Sequence, residues 1–574
     1  MHPLCRLANL LALLVVPSAA LFPTPRTLTK GSDVVKLSPH FEIVLASKTP
    51  PEDLLSAIDN AKEQLQHDSF SRLIVGRGET DRSAVESADT LAGLFLSLSD
   101  SSSPRDRILS ISDEINKPYD ELDEAYSLQV PAGSDGSGAG SGKLQATLTA
   151  NTTLGLARGL QTFTQLVYKL PGEHGELYIP EAPISIEDSP AFPHRGFMLD
   201  TSRNFFPVKD ILRTLDAMAS VKLNGFHWHA TDSQSWPLFI PSFPDLSAKG
   251  AYSAAEVYSW DDVQLIQSHA NGLGISVLLE IDMPGHTASI AQAFPEHIAC
   301  SEAEPWAKYA VEPPAGQLRL DSNATLSFAQ ELVRSASGLL ASKYFSTGGD
   351  EINEACYAHE AAVSRTATLA KRNIDELLGP FVQSLHTAVR ETGKTPVVWE
   401  EMVLEHPLDL EEDVVVIVWI NSEHVASVAE TGHRIIHGAS DYLYLDCGEG
   451  GWLANHTYGN SWCDPFKTWQ KIYSFDPFSN LTESQKPLVL GGQSLLWAEQ
   501  ASPENLDSLA WPRAASAAEV FWTGGSLADG TRDVAEALPR LHDWRYRAVA
   551  RGIKAAPLQP HYCALRPQAC NLGG

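Results

Sequence analysis

Eight short β-rich segments alternate with helical stretches over the last two thirds of the chain. The segments are Arg195–Leu199, Gly225–His229, Ile275–Ile281, Tyr344–Thr347, Pro396–Trp399, Val414–Trp419, Arg434–Ile436 and Leu488–Gly491. Strands separated by helices form a parallel sheet, because each helical crossover lets the next strand run in the same direction. Eight such units in roughly 380 residues predict an α/β fold, a (β/α)₈ (TIM) barrel with insertions and a C-terminal extension over residues 191–574.

A smaller α+β domain is predicted before the barrel, over residues 21–190. Its β-rich runs are Phe41–Ala46, Arg72–Gly76 and Leu144–Thr149. Apolar side chains then recur at helical spacing, at Leu156, Leu160, Phe163, Val167 and Leu170. Pro171 and Gly172 are expected to end this helix. The segment Ala132–Gly142 is rich in Gly and Ser, which predicts a flexible loop.

Residues 1–20 are predicted to be a signal peptide. Arg6 precedes the short apolar run Leu7–Val16, and Ser18, Ala19 and Ala20 have the small side chains of a cleavage site. A run of ten residues cannot span a bilayer, and no later segment is apolar for long enough. A propeptide that begins after Ala20 is an alternative that the sequence leaves open.

The rest of the chain has features that are typical of proteins from an oxidising compartment. Six cysteines follow the predicted signal peptide, and an even number favours disulfides. Four sequons for N-glycosylation agree with this, at Asn151, Asn323, Asn455 and Asn480. We therefore expect a secreted, extracellular protein, with the vacuole or lysosome as the alternative destination.

The charge balance excludes two classes of partner. Asp and Glu total 71 against 42 Lys and Arg, which gives a net charge of −29. Nucleic acids and anionic membranes attract clustered cations, so neither is expected as a partner. The balance suits a neutral or cationic ligand, and some of the 13 Trp are expected in its binding site.

Polar and aromatic residues follow the predicted barrel strands. They are Asp200, His229, Asp232, Asp282, His286, Asp350, Glu351, Trp399, Trp419, Tyr444, Asp446, Trp497 and Glu499. The carboxyl ends of barrel strands converge on one face, where the active sites of such barrels lie. Aromatic rings stack on the apolar faces of a pyranose, and carboxylates accept its hydroxyl protons. The combination therefore predicts a sugar-binding pocket.

The segment Ser346–Glu351 is the most specific of these motifs. Gly348 and Gly349 let the backbone turn freely, and the carboxyl groups of Asp350 and Glu351 follow directly. Adjacent side chains on a regular strand point to opposite faces, whereas on an irregular turn both can face a pocket. A solvated acidic turn is the alternative, but the position after two glycines at a strand end favours a functional pair.

Two of these motifs contain histidines. His227 and His229 share one face of a strand, but no third ligand stands at a typical spacing, so no metal site is predicted. We expect both to be structural or hydrogen-bonding residues. Asp282 stands four residues before His286, where it either orients that imidazole or belongs to a simple turn. The spacing does not decide between the two.

Taken together, these motifs resemble the β-N-acetylhexosaminidases of glycoside hydrolase family 20, and the chain is similar to their secreted fungal branch. Residues Gly348–Glu351 resemble the family's Gly-Gly-Asp-Glu motif. Further similarity covers Leu156–Leu166, Arg195–Arg203, His227–Asp232, Asp282–His286, Tyr444–Asp446 and Gly491–Glu499. The chain departs from many members at Ser346, Asn204 and Gln493, where His, His and Glu are common.

The resemblance implies an exo-acting enzyme that removes terminal non-reducing GlcNAc or GalNAc from chitooligosaccharides or glycans. Its retaining mechanism is substrate-assisted, through an oxazolinium intermediate, an exception to the scheme with two catalytic carboxylates. Glu351 would be the general acid and base, Asp350 would hold the acetamido N–H, and Tyr444 would bond the acetamido oxygen. The resemblance implies that Trp399, Trp419 and Trp497 form the wall of the pocket. It implies that Arg195, Asp446 and Glu499 bind the outer hydroxyl groups of the sugar. It implies that Asp232, Asp282 and His286 support Glu351.

No metal or organic cofactor is implied. The resemblance also implies the disulfides Cys300–Cys356, Cys447–Cys463 and Cys563–Cys570, although six cysteines allow 15 pairings. Homodimers are common in the family, but the sequence does not establish one. Three rival functions stay open: a non-catalytic amino-sugar-binding protein, a family 18 type chitinase and a glycosidase with two catalytic carboxylates. The chitinase is disfavoured because no Asp-x-Asp-x-Glu run is present.

Overall fold

A computed structural model of the protein describes residues 20–46, 49–68, 70–99, 108–132, 144–364, 374–453, 459–524 and 533–572. The predicted signal peptide up to residue 19, residues 133–142 of the predicted flexible loop and the sequon at Asn455 lie outside these ranges.

In its described residues, the N-terminal domain is a six-stranded mixed sheet with four α-helices. Its strands are β1 (Thr27–Leu45), β2 (Asp89–Leu98), β3 (Tyr126–Val130), β4 (Leu144–Ala150), β5 (Tyr168–Lys169) and β6 (Leu177–Asp188). Its helices are α1 (Glu52–His67), α2 (Arg82–Ser87), α3 (Ile111–Ile115) and α4 (Thr153–Leu166). The strand order is β1-β2-β4-β3-β6-β5. Strands β1, β2 and β4 run parallel, and β3, β5 and β6 pair antiparallel with their neighbours.

Helix α4 covers the sheet with the apolar face that its spacing predicts. Leu156, Leu160 and Phe163 are buried in one cluster with Leu148 of the sheet. The side chain of Thr152 accepts a hydrogen bond from the Gly155 N–H and so begins the helix. The helix ends at Leu166 rather than before Pro171, because β5 follows at once and pairs with β6.

The predicted strand at Arg72–Gly76 is wrong. This stretch leads into a 3₁₀ turn in which Gly76 and Gly78 have φ of 78° and 87°, values that glycine adopts at no steric cost and a strand does not contain. Strands β2, β3 and β6 were not among the predicted segments. Strand β3 and most of β6 alternate between buried and more exposed residues, whereas β2 has two consecutive buried residues, Leu94 among them.

The second domain is a closed barrel of eight parallel strands. They are β7 (His194–Asp200), β8 (Gly225–His229), β9 (Ser276–Glu280), β12 (Tyr344–Ser346), β13 (Thr395–Trp399), β14 (Val415–Val418), β15 (Arg434–His437) and β16 (Val489–Leu496); a small hairpin of β10 (Ile298–Ala299) and β11 (Gln317–Leu318) is inserted. The predicted α/β barrel is confirmed. Seven strands match the predicted bounds within one residue at each end. The eighth runs on to Leu496.

Helices surround the barrel. They are α5 (Val208–Ser220), α6 (Pro244–Gly250), α7 (Trp260–Gly272), α8 (Asn323–Ser337), α9 (Glu354–Ser364), α10 (Asp375–Glu391), α11 (Glu401–Leu404), α12 (His424–Glu430), α13 (Ser440–Leu443), α14 (Trp469–Tyr473), α15 (Leu506–Ala510), α16 (Arg513–Thr523), α17 (Val534–Ala550) and α18 (His561–Ala564). All seven residues of β7 are buried, as expected of a strand with side chains inside the barrel on one face and helices on the other.

Buried ion pairs join the two domains. Glu124 of the N-terminal domain lies 2.7 Å from Arg158 Nε and 2.6 Å from Arg195 Nη2 at the start of β7. Asp188, at the end of β6, lies 3.0 Å from Lys222 Nζ of the barrel. Arg158 belongs to the same domain as Glu124, so separation of the domains would break only the Glu124–Arg195 and Asp188–Lys222 pairs. It would leave Arg195 and Lys222 without their carboxylate partners.

The three predicted disulfides, Cys300–Cys356, Cys447–Cys463 and Cys563–Cys570, are all formed and are confirmed. The sequon residues Asn151, Asn323 and Asn480 are exposed. Within the described ranges, no helix combines the length and the apolar composition that crossing a membrane requires.

Candidate active site

A cavity of about 620 Å³ opens where the barrel strands end. Its volume is that of a typical small-molecule site. Most of the predicted site residues line it: His286, Asp350, Glu351, Trp399, Trp419, Tyr444, Asp446, Trp497 and Glu499. The lining also includes Arg203, Glu312 and Trp462, which were not predicted as site residues. The convergence of strand ends therefore builds one pocket of carboxylates and aromatic rings.

The turn after β12 presents both adjacent carboxyl groups to this cavity. Gly348 and Gly349 have φ of 63° and 105°, and Glu351 itself has φ of 54°. A Cβ on Gly348 would lie 2.0 Å from Asp282 Oδ1. The Gly349 N–H donates to that same oxygen at 2.7 Å. The two glycines thus allow a turn that no strand could make, and Asp282 holds it in place.

One imidazole lies beside both carboxyl groups. His286 Nε2 is 3.3 Å from Glu351 Oε2 and 3.6 Å from Asp350 Oδ2. The other ring nitrogen, Nδ1, is 3.0 Å from Asp232 Oδ1. Asp232, and not Asp282, therefore orients His286, which decides between the alternatives that the sequence spacing left open.

The environment separates the protonation behaviour of the acidic groups. Burial, together with the charge of Asp350, raises the pKa of Glu351 even though His286 opposes this. Burial and the charge of Asp350 also raise the pKa of Asp282 well above its ordinary value. Burial disfavours a charged His286, but Asp232 and Asp350 outweigh it and raise the pKa of His286 well above its usual range. Glu351 is thus suited to donate a proton beside a cationic imidazole.

His227 and His229 have the hydrogen-bonding roles that we expected. Glu280 contacts His227 Nε2 at 3.1 Å and His229 Nδ1 at 2.6 Å. Two of the residues that depart from the family pattern contact these same groups. Ser346 donates a hydrogen bond to Glu280, and Gln493 lies 2.9 Å from His227 Nδ1.

Aromatic rings form one wall of the cavity. The ring of Trp419 is nearly parallel to that of Tyr444, with centroids 6.1 Å apart. Trp497 lies 6.2 Å from Trp399 and 6.3 Å from Tyr444. Trp462, 65% exposed, stands edge-on to Trp419 at the mouth. The wall can stack on a sugar and exclude water from the turn that carries the carboxyl groups.

Polar groups also line the cavity, beside the aromatic wall. Burial raises the pKa of Asp446 to about 7 and that of Glu499 well above its ordinary value, although Arg203 opposes the latter shift. Arg203 Nη2 lies 2.9 Å from Asp232 Oδ2 and 3.3 Å from Glu312 Oε2, and its guanidinium lies over the Trp497 ring. Buried donors and acceptors of this kind fit the hydroxyl groups of a sugar.

The family follows from direct comparison. Residues 192–525 match the model described as glycosyl hydrolase family 20, catalytic domain. The chain belongs to glycosyl hydrolase family 20. Residues 21–166 match a second model, described as beta-acetyl hexosaminidase like. The family 20 chain is therefore a glycosidase, and it falls in the β-N-acetylhexosaminidase class.

Named relatives agree over most of the chain. A beta-hexosaminidase of Arthroderma benhamiae is 40% identical over 475 residues, covering 79% of this chain and 75% of the relative. A chitooligosaccharidolytic beta-N-acetylglucosaminidase of Bombyx mori is 34% identical over 466 residues, covering 78% of this chain and 75% of the relative.

Solved structures share the fold. A mutant beta-hexosaminidase of Streptomyces plicatus in complex with GlcNAc has a TM-score of 0.70 at 23% identity, covering 95% of this chain and 97% of that one. The chitobiase of Flavobacterium johnsoniae has a TM-score of 0.71 at 24% identity, covering 93% of this chain and 73% of that one.

The structure corrects one predicted site residue of this family 20 enzyme. Arg195 stands at the start of β7, at the end of the barrel away from the cavity, and its side chain is fully buried. It donates to the Phe192 carbonyl at 2.8 Å and pairs with Glu124. Arg195 therefore joins the domains and cannot contact a sugar. Arg203, which follows the other end of the same strand, lines the pocket instead.

Sequence reasoning missed three further residues. Glu401 accepts the indole N–H of Trp419 at 3.0 and 2.9 Å, Glu312 pairs with Arg203, and Trp462 stands at the mouth. Glu401 had a detectable signal, since it follows a barrel strand as the other carboxylates do. Glu312 and Trp462 lie in long insertions, where no periodicity points to the pocket.

Proposed function

We propose that this family 20 enzyme is an exo-acting β-N-acetylhexosaminidase that removes terminal non-reducing GlcNAc or GalNAc from chitooligosaccharides or glycans. One observation carries the proposal: Asp350 and Glu351 are adjacent on one turn, and both lie beside the same His286 nitrogen. In an enzyme with two catalytic carboxylates the pair stands on opposite sides of the scissile bond, about 5 Å or more apart. Two neighbours on one turn do not flank the bond in that way, which supports a nucleophile supplied by the substrate.

The proposed first step uses three residues of the cavity. Glu351 donates its proton to the glycosidic oxygen while the C1–O bond breaks, and the carbonyl oxygen of the 2-acetamido group attacks C1. Asp350 accepts the acetamido N–H and balances the positive charge of the oxazolinium ring. The Tyr444 hydroxyl donates to the acetamido oxygen and orients it. A buried carboxyl group with a raised pKa is the acid that such a step requires.

The second step reverses the roles. Glu351, now a carboxylate, takes a proton from water as the water oxygen attacks C1 and opens the oxazolinium ring. The configuration at C1 is retained because two attacks from opposite faces have occurred. His286, held by Asp232, stabilises the negative charge that Glu351 carries between the two steps.

Recognition of a terminal sugar is supported by the buried polar side of the cavity. Arg203, Asp446 and Glu499 are placed to bind the outer hydroxyl groups, with Arg203 taking the role that the sequence had suggested for Arg195. Side chains that grip the non-reducing end leave no path for the chain to continue, which favours exo action.

The substrate class also has support from relatives. The Bombyx mori relative is named for chitooligosaccharides, and the Streptomyces plicatus structure holds GlcNAc. We extend the proposal to secretion, which the three disulfides and the exposed sequon residues support. A vacuolar or lysosomal location and a homodimer belong to the same set of expectations.

The deciding experiment compares two aryl glycosides. The nitrophenyl β-N-acetylglucosaminide should be hydrolysed, and the plain nitrophenyl β-glucoside, which lacks the internal nucleophile, should be cleaved at least about 10³-fold more slowly. Comparable rates on both would show a glycosidase with two catalytic carboxylates. Binding of GlcNAc without turnover would show a non-catalytic sugar-binding protein.

A further inference from the structure

The two residues that follow β13 are buried carboxylic acids with separate partners. Glu400 is fully buried and Glu401 is 3% exposed. Glu400 accepts the backbone N–H of Ile420 at 2.7 Å. Glu401 accepts the indole N–H of Trp419 with both oxygens, at 3.0 and 2.9 Å. The two residues after β13 therefore hold the two residues after β14. Glu401 holds the ring of Trp419, and Glu400 holds the backbone of Ile420.

The Trp419 indole is held more firmly than its neighbour in the wall. The N–H of Trp399 is buried and has no hydrogen-bond partner within the part of the chain that the structure describes. Packing alone orients the Trp399 ring. Trp419, in contrast, has an acceptor 2.9 Å from its indole nitrogen and a nearly parallel neighbour in Tyr444. An aromatic ring with a fixed edge and a fixed face cannot rotate to admit a larger group.

We infer that Glu401 is a positioning residue that, through Trp419, restricts the length of the 2-acyl group that the enzyme accepts. The inference rests on the proposed function, in which Tyr444 and Asp350 bind the acetamido group. Trp419 is the ring parallel to Tyr444, so it stands beside the acyl carbon that Tyr444 orients. Loss of the Glu401 acceptor leaves the N–H unpaired, frees the ring to tilt, and makes room for additional methylene groups.

The acceptor role of Glu401 can be separated from its charge. Burial, with the charge of Asp350 nearby, raises the pKa of Glu401 well above its ordinary value. The amide of Gln offers a carbonyl oxygen at the same position without a charge. Glu401→Gln is therefore the matched control, because it keeps the acceptor and the shape.

The experiment measures kcat/KM for nitrophenyl glucosaminides that carry an N-acetyl or an N-butyryl group. A pocket discriminates by about tenfold or more for each extra methylene, so the wild type should prefer the acetyl sugar strongly. In Glu401→Ala this preference should fall by about tenfold or more, chiefly because the butyryl substrate gains. In Glu401→Gln it should stay within about twofold of the wild type. Equal loss in both variants, or no change in Glu401→Ala, would overturn the inference.

A double-mutant cycle separates positioning from a general loosening of the fold. Trp419→Phe removes the N–H and keeps an aromatic ring, so it should relax the preference by itself. Adding Glu401→Ala to that variant should then change nothing further. Full additivity of the two changes would mean that Glu401 acts without Trp419 and would overturn the inference. If Glu401→Ala does not fold, Glu401→Met keeps the volume without the acceptor and replaces Glu401→Ala in the cycle.

Failure of the proposed function gives a different result. A wild type that cleaves the plain glucoside as fast as the N-acetyl sugar contradicts substrate assistance, whatever the variants do. A wild type that requires the acetamido group, but whose acyl preference ignores Glu401, contradicts only the role of Glu401.

Discussion

Gly348→Ala tests the proposition that the turn after β12 is held by Asp282. Gly348 has φ of 63°, and an added Cβ would lie 2.0 Å from Asp282 Oδ1 and 2.9 Å from its Cα. The left-handed conformation alone costs about 1–2 kcal/mol for a residue with a Cβ. Displacing Asp282 also leaves the buried Gly349 N–H without its acceptor, which costs about 1–3 kcal/mol more. We therefore expect a total destabilisation of about 2–5 kcal/mol.

Gly393→Ala is the matched control. Gly393 has φ of 78°, but nothing lies within 4 Å of an added Cβ. It belongs to the same barrel, so both variants report on the same unfolding unit. Gly393→Ala should lose only about 1–2 kcal/mol and keep full activity.

Equilibrium urea unfolding measures the free energies, and kcat on the nitrophenyl N-acetylglucosaminide reports the placement of the carboxyl groups. A displacement of about 1 Å at a reacting group costs about 10²-fold in rate, so Gly348→Ala should lose at least that much kcat. Equal destabilisation of both variants, with kcat preserved in Gly348→Ala, would refute the reasoning that Asp282 holds the turn.

Three further predictions follow from the site. Asp350→Asn should lower kcat by about 10²-fold or more, since a neutral amide cannot balance the oxazolinium charge; a glucosaminide assay with unchanged kcat would contradict this role. Glu351→Gln should lose about 10²–10⁴-fold on chitobiose, where the leaving group needs a proton, and far less on the nitrophenyl substrate. Wild-type activity should fall as pH rises through the raised pKa of Glu351, and this alkaline limb should vanish in the variant. Arg203→Lys should raise KM in a stably folded enzyme, whereas Arg195→Lys should lower the urea midpoint and leave KM unchanged. The reverse pattern would show that Arg195, and not Arg203, binds the substrate.

The pair Asp350–Glu351 shows how one turn can supply two different functions. Both carboxyl groups lie near the same imidazole, but Asp350 also lies within 4.8 Å of an Asp282 oxygen, while Glu351 is the more exposed of the two. Environments that differ in this way let one carboxyl group orient the acetamido N–H and the other move a proton.

Much of the architecture and of the site was determined by the sequence alone. A barrel strand is a local feature, since a short run of β-branched and apolar residues between helices predicts its position without knowledge of the rest of the fold. Residues that follow such a strand must lie at the carboxyl end of the barrel, which is why Asp350, Glu351 and the three tryptophans were found. The two glycines before Asp350 likewise specify an irregular turn through their own backbone freedom.

Only the tertiary structure decided which surroundings each end of a strand meets and which residues of different elements contact each other. Arg195 and Arg203 belong to one motif, but a strand advances about 3.3 Å per residue, so its two ends face different surroundings. Arg195 meets Glu124 of the other domain, and Arg203 meets Asp232 in the pocket. The partner of His286 is Asp232, 54 residues away in sequence, and not Asp282, four residues away. Spacing in the chain predicts which residues can be neighbours within an element, whereas the closure of the barrel brings together residues that no local pattern relates.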